Sequence, residues 1–399
     1  MGQGKEKRRF RILLGVVAAA GLTQGLLLPL MATLLEKDGV SSSMNGLHAT
    51  ALYLGVLLST PFCGALVRRY GYRTVIGFGM VLLAGGTFLF PVMTGFLPWM
   101  VLRFVVGIGD SILHYASQLW ITSESPMHLR GRLLSQYGLA FGIGFGLGPL
   151  GINLLTFGEW VPFVTMGALL LIVLVGIFLL EDHRPPINNP SEASGRRMVR
   201  INRMGFVALC PGFLYGFLEA TLSGSFPVYG LREGLGATWV SILISAFVYG
   251  SLLFQLPLGA LSDRWGRKRV LGWICFLGSI GMALIPFAIK NEWILLTLFT
   301  LVGGLLGSLF SLGLAFLADI VPVEDLPEAN ALSGAYFAIG CLVGPYVGGV
   351  LIQVAGGSSL FYLIAGTLFA FVMLTFLYRT PSPTRVVEGK DQEEVVLSR

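Results

Sequence analysis

The stretch GALSDRWGRKRV at residues 259–270 repeats the pattern of an earlier stretch, GALVRRYGYRTV at residues 64–75, at an offset of 195 residues. Each stretch sets glycines around a short basic run, and each follows a long apolar segment. A second pair supports this spacing, because GFGLGP begins at Gly144 and GCLVGP begins at Gly340, an offset of 196 residues. Two different motifs that recur at nearly one spacing predict a duplicated chain of two related units.

The composition identifies the environment in which these units fold. Hydrophobic residues make up 54% of the 399 positions and charged residues 12%, and the mean hydropathy is +0.78. Soluble domains carry roughly a quarter charged residues, so a soluble protein is excluded. Because a helix needs roughly 20 apolar residues to cross a bilayer, the sequence predicts twelve spanning helices. They lie near residues 12–34, 45–67, 74–94, 98–122, 133–156, 161–180, 204–229, 238–261, 269–288, 293–318, 329–352 and 359–378.

The basic residues predict the orientation of these helices. Of the 27 Lys and Arg, only Lys37, Arg232 and Lys290 fall in loops on one side, and Arg103 falls within a span. All the others lie on the side that carries both termini. Cytoplasmic loops carry the excess of Lys and Arg, so we expect an inner-membrane, multi-pass protein with both termini in the cytoplasm. The net charge of +6 is then a consequence of topology, and no nucleic-acid partner is expected.

The polar stretches predict where the two units begin and end. Residues 181–203 are charged and contain prolines, which is typical of a linker, and residues 380–399 form a polar tail. We therefore predict an N-terminal six-helix bundle at 1–180, a cytoplasmic linker at 181–203, a C-terminal six-helix bundle at 204–379 and a cytoplasmic tail at 380–399. The predicted fold is an all-α membrane protein with 12 transmembrane helices in two pseudo-symmetric bundles.

The glycine-rich loops resemble the signature loop of the major facilitator superfamily, and the resemblance covers essentially the whole chain. It implies that these loops gate the cytoplasmic side and that the acid, Asp263, latches it. In the first copy Arg68 occupies the acid position, so either this half uses other contacts or Arg68 pairs with an acid elsewhere. Both loops could also simply anchor to anionic lipid headgroups. The matching residues are Gly64, Arg68, Arg69, Gly71 and Arg73, and then Gly259, Asp263, Arg264, Gly266 and Arg267.

A second family pattern, G-x-x-x-G-P-x-x-G-G, is complete in helix 11 and incomplete in helix 5, where Ile152 and Asn153 replace the last two glycines. In the superfamily the helix 5 copy is associated with drug and metabolite antiporters, and the departure weakens that assignment. The alternative is close helix packing through small residues. The residues concerned are Gly144, Gly148, Pro149, Gly340, Gly344 and Pro345.

Helix 4 carries a charged stripe. Arg103, Asp110 and His114 are spaced by seven and four residues, which places them on one helix face. An intramembrane arginine is costly and needs a partner or a cavity. We hypothesise that Asp110 carries a coupling proton, that His114 tunes or relays it, and that Arg103 sets the charge balance. The alternative is a structural network that joins helix 4 to helix 1 or 2.

Glu219 in helix 7 is a second buried acid, predicted to bind a cationic substrate or to carry a second proton, or else to form a hydrogen bond across a helix interface. Gln24 in helix 1 occupies a comparable position and is predicted to face the same cavity. His48 is expected at the membrane interface. Several tyrosines fit an aromatic cavity for amphipathic or cationic ligands, namely Tyr53, Tyr115, Tyr137, Tyr215, Tyr249 and Tyr336.

Together these features predict a secondary transporter that couples protons to the efflux of a small hydrophobic or amphipathic compound. Alternatives are a proton-coupled transporter of a sugar or other polar metabolite, a lipid or lysolipid carrier, and, in another class, a transporter-like membrane sensor. No enzyme activity, cofactor or metal is expected, since no phosphate loop, metal-spaced cluster or nucleophile–base pair is evident. The expected partners are substrate, protons and the lipid bilayer, and we expect a monomer.

Overall fold

In a computed structural model of the protein, residues 2–184 and 195–378 are described below. Within them twelve helices are long and apolar enough to cross a membrane, as predicted. Helices suit such segments because a bilayer offers no hydrogen-bond partners to free backbone groups. The helices are α1 (Glu6–Lys37), α2 (Ser42–Tyr70), α3 (Tyr72–Leu89), α4 (Phe96–Glu124), α5 (Leu129–Phe157), α6 (Val161–Phe178), α7 (Arg197–Arg232), α8 (Ala237–Trp265), α9 (Arg267–Ala288), α10 (Glu292–Ile320), α11 (Leu326–Ala355) and α12 (Ser359–Leu377).

The twelve helices alternate between two faces of the molecule. The basic face carries the start of α1 and the α2–α3 loop, and the opposite face carries the α1–α2 loop. Part of the predicted linker, residues 185–194, and the predicted tail, residues 380–399, lie outside the described residues. Helical backbone already begins at Gly195, so residues 195–203 of the predicted linker are helical. The domain boundaries stay a prediction.

Two of the spanning helices are irregular. In α5 the α-helical part ends at Leu147, and residues Gly148–Phe157 form a 3-10 helix. Pro149 lies at its start and has no backbone N–H to continue the α-helical ladder. In α10 the segments Glu292–Leu306 and Leu309–Ile320 are separated at Gly307 and Ser308.

Small residues let helices pack closely within each half. A Cβ atom at Gly144 would overlap the carbonyl oxygen of Ala18, so α5 lies directly against α1. In the second half a Cβ at Gly340 would overlap the carbonyl of Phe213, which brings α11 against α7. The repeated glycine motif therefore makes the same helix contact in both halves, as expected for small-residue packing.

The two halves meet near the opposite face. A Cβ at Gly46 of α2 would overlap the carbonyl of Pro345 in α11, and one at Gly146 of α5 would lie 3.1 Å from the ring of Tyr249 in α8. The hydrogen bonds between Ser43 and Gln353 and between Arg232 and Glu36 also join the halves at this face, whereas Gln118 of α4, nearer to the basic face, is exposed. The molecule is thus closed at the opposite face and open at the basic face.

Candidate functional site

The charged stripe of α4 runs from a closed interior toward the basic face. Arg103 is completely buried and Asp110 is 6% exposed. The side chain of His114, one turn further on, is 20% exposed, and Gln118 is exposed. Because the exposure of the side chains increases along this helix face from Arg103 to Gln118, Asp110 lies where the buried interior meets the opening.

Arg103 bonds to the first two helices rather than to the acid of its own stripe. Its Nη2 donates to the carbonyls of Leu27 and Leu28 at 3.0 and 3.1 Å, and its Nη1 lies 3.0 Å from Nδ1 of His48. Asp110 is two helical turns away, about 10 Å along the axis. These contacts favour the structural network joining helix 4 to helices 1 and 2 over the predicted role in charge balance.

His48 differs from the expectation of an interfacial residue, because it is completely buried. Its Nδ1 faces the donors of Arg103, and a guanidinium has no acceptor atom. The imidazole therefore accepts at Nδ1 and is neutral, with its proton on Nε2. The sequence signal was the spacing of seven residues between Arg103 and Asp110, which suggested a partner on the same helix. The partner of Arg103 is instead His48, which lies 55 positions earlier in the sequence.

Asp110, His114 and Tyr137 form a polar chain between α4 and α5. Oδ1 of Asp110 is 3.5 Å from Nε2 of His114, and Nδ1 of His114 is 2.8 Å from the hydroxyl of Tyr137. Among the described residues neither Oδ1 of Asp110 nor Nε2 of His114 makes a hydrogen bond of good geometry. Each of these two buried atoms therefore keeps an unused hydrogen-bonding position.

Glu219 lies in a small apolar pocket where the two halves meet. The cavity measures about 10 Å³, room for about one water molecule. Phe145 of α5 contributes from the first half, while Ile244 and Phe247 of α8 and Phe299 of α10 contribute from the second. Glu219 is the only ionisable side chain of the lining apart from Tyr215, one turn away on α7.

Tyr53 of α2 is a buried polar residue in the vicinity of both acids. It is buried, and its hydroxyl has no hydrogen-bond partner of good geometry among the described residues. The hydroxyl is within electrostatic range of both Asp110 and Glu219. The two predicted acids, from different halves, thus both lie within electrostatic range of one buried tyrosine.

The other predicted cavity residues are more dispersed. Tyr115 is 37% exposed beside Gly64, and Tyr249 of α8 donates to the carbonyl of Ile143 at 3.4 Å. Tyr336 donates to Asn202 at 2.7 Å near the basic face, about 25 Å along α7 from Glu219. Gln24 is half-buried in α1. Tyr336 thus lies far from the acids.

Polar contacts between the halves hold the opposite face shut. Arg232 at the end of α7 donates to both carboxylate oxygens of Glu36 at the end of α1, at 2.6 and 3.0 Å. Asn153 of α5 accepts from Thr238 at 2.7 Å and donates to Ser241 at 3.2 Å. The residue that interrupts the glycine motif of helix 5 therefore joins α5 to α8.

Comparison with known proteins assigns this architecture to a family. A model of the Major Facilitator Superfamily matches residues 13–243 and 208–399. The chain belongs to the major facilitator superfamily. It is therefore a multi-pass membrane transporter by family, in agreement with the predicted resemblance.

Relatives and solved structures agree with the superfamily assignment. The chain is 40% identical over 362 residues to the uncharacterized MFS-type transporter YfkF of Bacillus subtilis, covering 90% of this chain and 92% of that protein. It is 28% identical over 351 residues to the uncharacterized MFS-type transporter YcaD of Salmonella typhi, covering 85% and 88%. These relatives give the family and no substrate.

Among solved structures the nucleoside transporter NupG is similar with a TM-score of 0.73 at 16% identity, covering 93% of this chain and 100% of that one. A bacterial homolog to the human lysosomal transporter Spinster gives 0.69 at 15% identity, covering 94% and 96%. At these identities the likeness shows the shared fold alone.

The superfamily signature loops differ between the halves. In the second loop Asp263 is 3.4 Å from Arg267, which also bonds Asp319 at the end of α10 at 2.8 Å. In the first loop Asp182, from beyond α6, accepts from the backbone of Arg73 at 2.9 Å and from Thr74 at 3.0 Å. The first loop thus uses different contacts from the second, with a carboxylate bound at the start of α3 where the second loop has an acid–arginine pair.

Proposed function

We propose that this transporter exchanges protons for a small amphipathic cation, which it exports across the inner membrane by alternating access. The observation that carries the proposal is a pair of buried acids, Asp110 and Glu219, which both lie within electrostatic range of Tyr53. Asp110 lies beside His114 where the interior meets the opening at the basic face, and Glu219 lies in a mainly apolar pocket between the halves.

The orientation rests on charge. The basic face carries almost all Lys and Arg residues, and such residues mark the cytoplasmic side. With that orientation the structure represents a state that is open to the cytoplasm. Export then requires the contacts between α1 and α7 and between α5 and α8 to separate.

Exchange follows from the surroundings of Glu219, which has Tyr215 as a hydrogen-bond partner but no basic residue in the lining of its pocket. A carboxylate in an apolar pocket is strongly disfavoured without a proton or a cation to neutralise it. The same oxygens cannot hold a proton and pair with a cation at once. Proton and substrate therefore compete for Glu219, which is the requirement for antiport rather than for cotransport.

The aromatic and aliphatic lining supports an amphipathic substrate. Phe145, Phe247 and Phe299 line the pocket of Glu219, which holds about one water molecule in this state and widens when the substrate binds. Aromatic rings attract cations as well as apolar groups. A sugar would need many directed polar partners, and this lining offers few. Asp110 and His114, which face the opening, receive the proton that leaves Glu219.

Transport by proteoliposomes under an imposed pH gradient tests the proposal with a panel of cationic dyes, sugars and lipids. For Glu219→Gln we expect cation uptake to fall by about tenfold or more, since one charge-assisted contact is lost. For Asp110→Asn we expect gradient-driven accumulation to be lost, while exchange of labelled for unlabelled substrate without a gradient continues.

Glu233→Gln and Asp38→Asn are the matched controls, because both acids are exposed at the opposite face; both should transport normally. Proton-driven flux that is unchanged in Glu219→Gln and Asp110→Asn would exclude the proposal. Flux of sugars with no flux of cations would exclude the substrate class.

A further inference from the structure

A large groove lies outside the central site, on the flank of the second half near the basic face. Its volume is about 1170 Å³, and its walls come from α9 and the basic-face ends of α10 and α12. Ligand pockets are usually roughly 300–1,000 Å³. Phe316, Phe369 and Phe376 give it an apolar floor, and Trp265 and Trp273 line it near the membrane interface.

The polar end of the groove is positively charged. Arg267, Lys268 and Arg269 at the start of α9 line it, and Asp319 is the one acid of that lining. Arg267 is already bonded to Asp319 at 2.8 Å, and Lys268 donates to the backbone carbonyl of Tyr378. Arg269 is exposed, and among the described residues it has no carboxylate partner.

The duplicated first half shows what occupies the corresponding position. At an offset of 195 residues, Arg73 and Thr74 correspond to Lys268 and Arg269. There the carboxylate of Asp182 accepts from the backbone of Arg73 and the hydroxyl of Thr74. Within the described part of the chain no carboxylate bonds to the matching amides of α9, and the groove opens at that point.

The surrounding backbone is alike in both halves, so the comparison is close. Gly71 and Gly266 precede α3 and α9 with φ of 86° and 90°. Arg73 donates from Nη1 to the carbonyl of Leu180 at 3.0 Å, as Lys268 donates to Tyr378. The starts of α3 and α9 thus share one backbone geometry. A carboxylate is bound at the start of α3, and an open basic groove lies at the start of α9.

We propose that this groove binds one anionic phospholipid. Its phosphate occupies the place at the start of α9 that the Asp182 carboxylate occupies at the start of α3, and bonds to Arg269. An acyl chain lies against Phe316, Phe369 and Phe376. A soluble anion would not use these apolar walls, whereas a lipid uses both ends of the groove. The site is separate from the Glu219 pocket and does not depend on the proposed substrate.

Photo-crosslinking in proteoliposomes tests this site on the full chain. The photoreactive residue p-benzoylphenylalanine replaces Trp273 in one protein and Phe78 in another. Phe78 is the matched control, because it lies 195 residues earlier and is 53% exposed where Trp273 is 54% exposed. In equimolar phosphatidylglycerol and phosphatidylethanolamine, mass spectrometry of the adducts measures which lipid each position contacts.

We expect phosphatidylglycerol adducts at residue 273 to exceed phosphatidylethanolamine adducts about fivefold, with equal amounts at residue 78. Adding Arg269→Gln should remove most of that excess. Arg264→Gln, which removes another exposed arginine that does not line the groove, should leave that excess unchanged. The proposal would be overturned by equal amounts of the two lipid adducts at residue 273, or by adducts to residues 379–399 of the chain itself. It would also be overturned if both arginine variants lost the phosphatidylglycerol excess equally.

Discussion

Arg103 is the member of the helix 4 stripe whose contacts indicate a structural role. Its guanidinium bonds two carbonyls of α1 and the ring of His48 of α2. Placing an arginine in the middle of a membrane helix costs about 2.5–3.5 kcal/mol on insertion scales, and hydrogen bonds to a charged group offset part of that. The sequence predicted that Arg103 needs a partner. It could not identify His48, because the pairing depends on how α2 packs against α4.

Substitution of Arg103 by lysine separates the two roles. Arg103→Lys keeps the charge but loses the planar fork that serves three acceptors. We expect the midpoint of thermal unfolding in detergent to fall by at least about 2–4 °C, the shift for 1 kcal/mol in a domain of about 200 residues. Arg132→Lys, at an exposed arginine of α5, should change it little. An unchanged unfolding midpoint in Arg103→Lys, together with loss of proton-driven transport, would instead support the predicted role of Arg103 in proton coupling.

At the scale of elements, the twelve helices followed from hydropathy alone, because each contains an apolar stretch of the length that crossing a bilayer needs. The 3-10 end of α5 and the break in α10 did not follow. Pro149 explains the first locally, whereas the second sits where Gly307 passes Ser251 of α8 so closely that a Cβ would overlap it. The break in α10 is thus decided by a contact between helices, which leaves no periodicity in the sequence.

Two glycines of α5 test the packing of that helix against α1. A Cβ at Gly148 would lie 2.6 Å from backbone atoms of Gly25 and Leu26, while one at Gly138 has open space. We expect Gly148→Ala to lower the stability of the folded protein by about 1–3 kcal/mol through overpacking. Gly138→Ala should be neutral or slightly stabilising, since alanine favours helix. Equal thermal midpoints for the two variants would contradict this packing.

At the scale of the whole molecule, the duplication predicted two related halves, and the proposed function rests on the differences between them. The first half holds Asp110 and His114, and the second holds Glu219. The sequence identified all three as candidates from their rarity in apolar segments. That acids from both halves lie within electrostatic range of Tyr53 could not be predicted, because it depends on how the halves meet.

The pair of Glu36 and Arg232 offers a test of closure at the opposite face. Its side chains are 15% and 42% exposed, so the pair is partly screened. Such pairs contribute about 0.2–1 kcal/mol, and Glu36→Gln should raise the fraction of molecules open at that face by up to about fivefold. Distances between labels at Asp38 and Glu233 measure that fraction, with Glu159→Gln as the control. An unchanged distribution would mean that Asn153 and the α2–α11 contact hold the face alone.

Competition between a proton and a cation at Glu219 is the central claim, and proton release on substrate binding tests it most directly. A transported cation is added to purified protein in weakly buffered detergent over a pH series, and a pH indicator reports protons released per substrate bound. We predict release that approaches one proton per cation in the parent protein and no release in Glu219→Gln. Cation binding without proton release at any pH, or equal release in both proteins, would contradict the account.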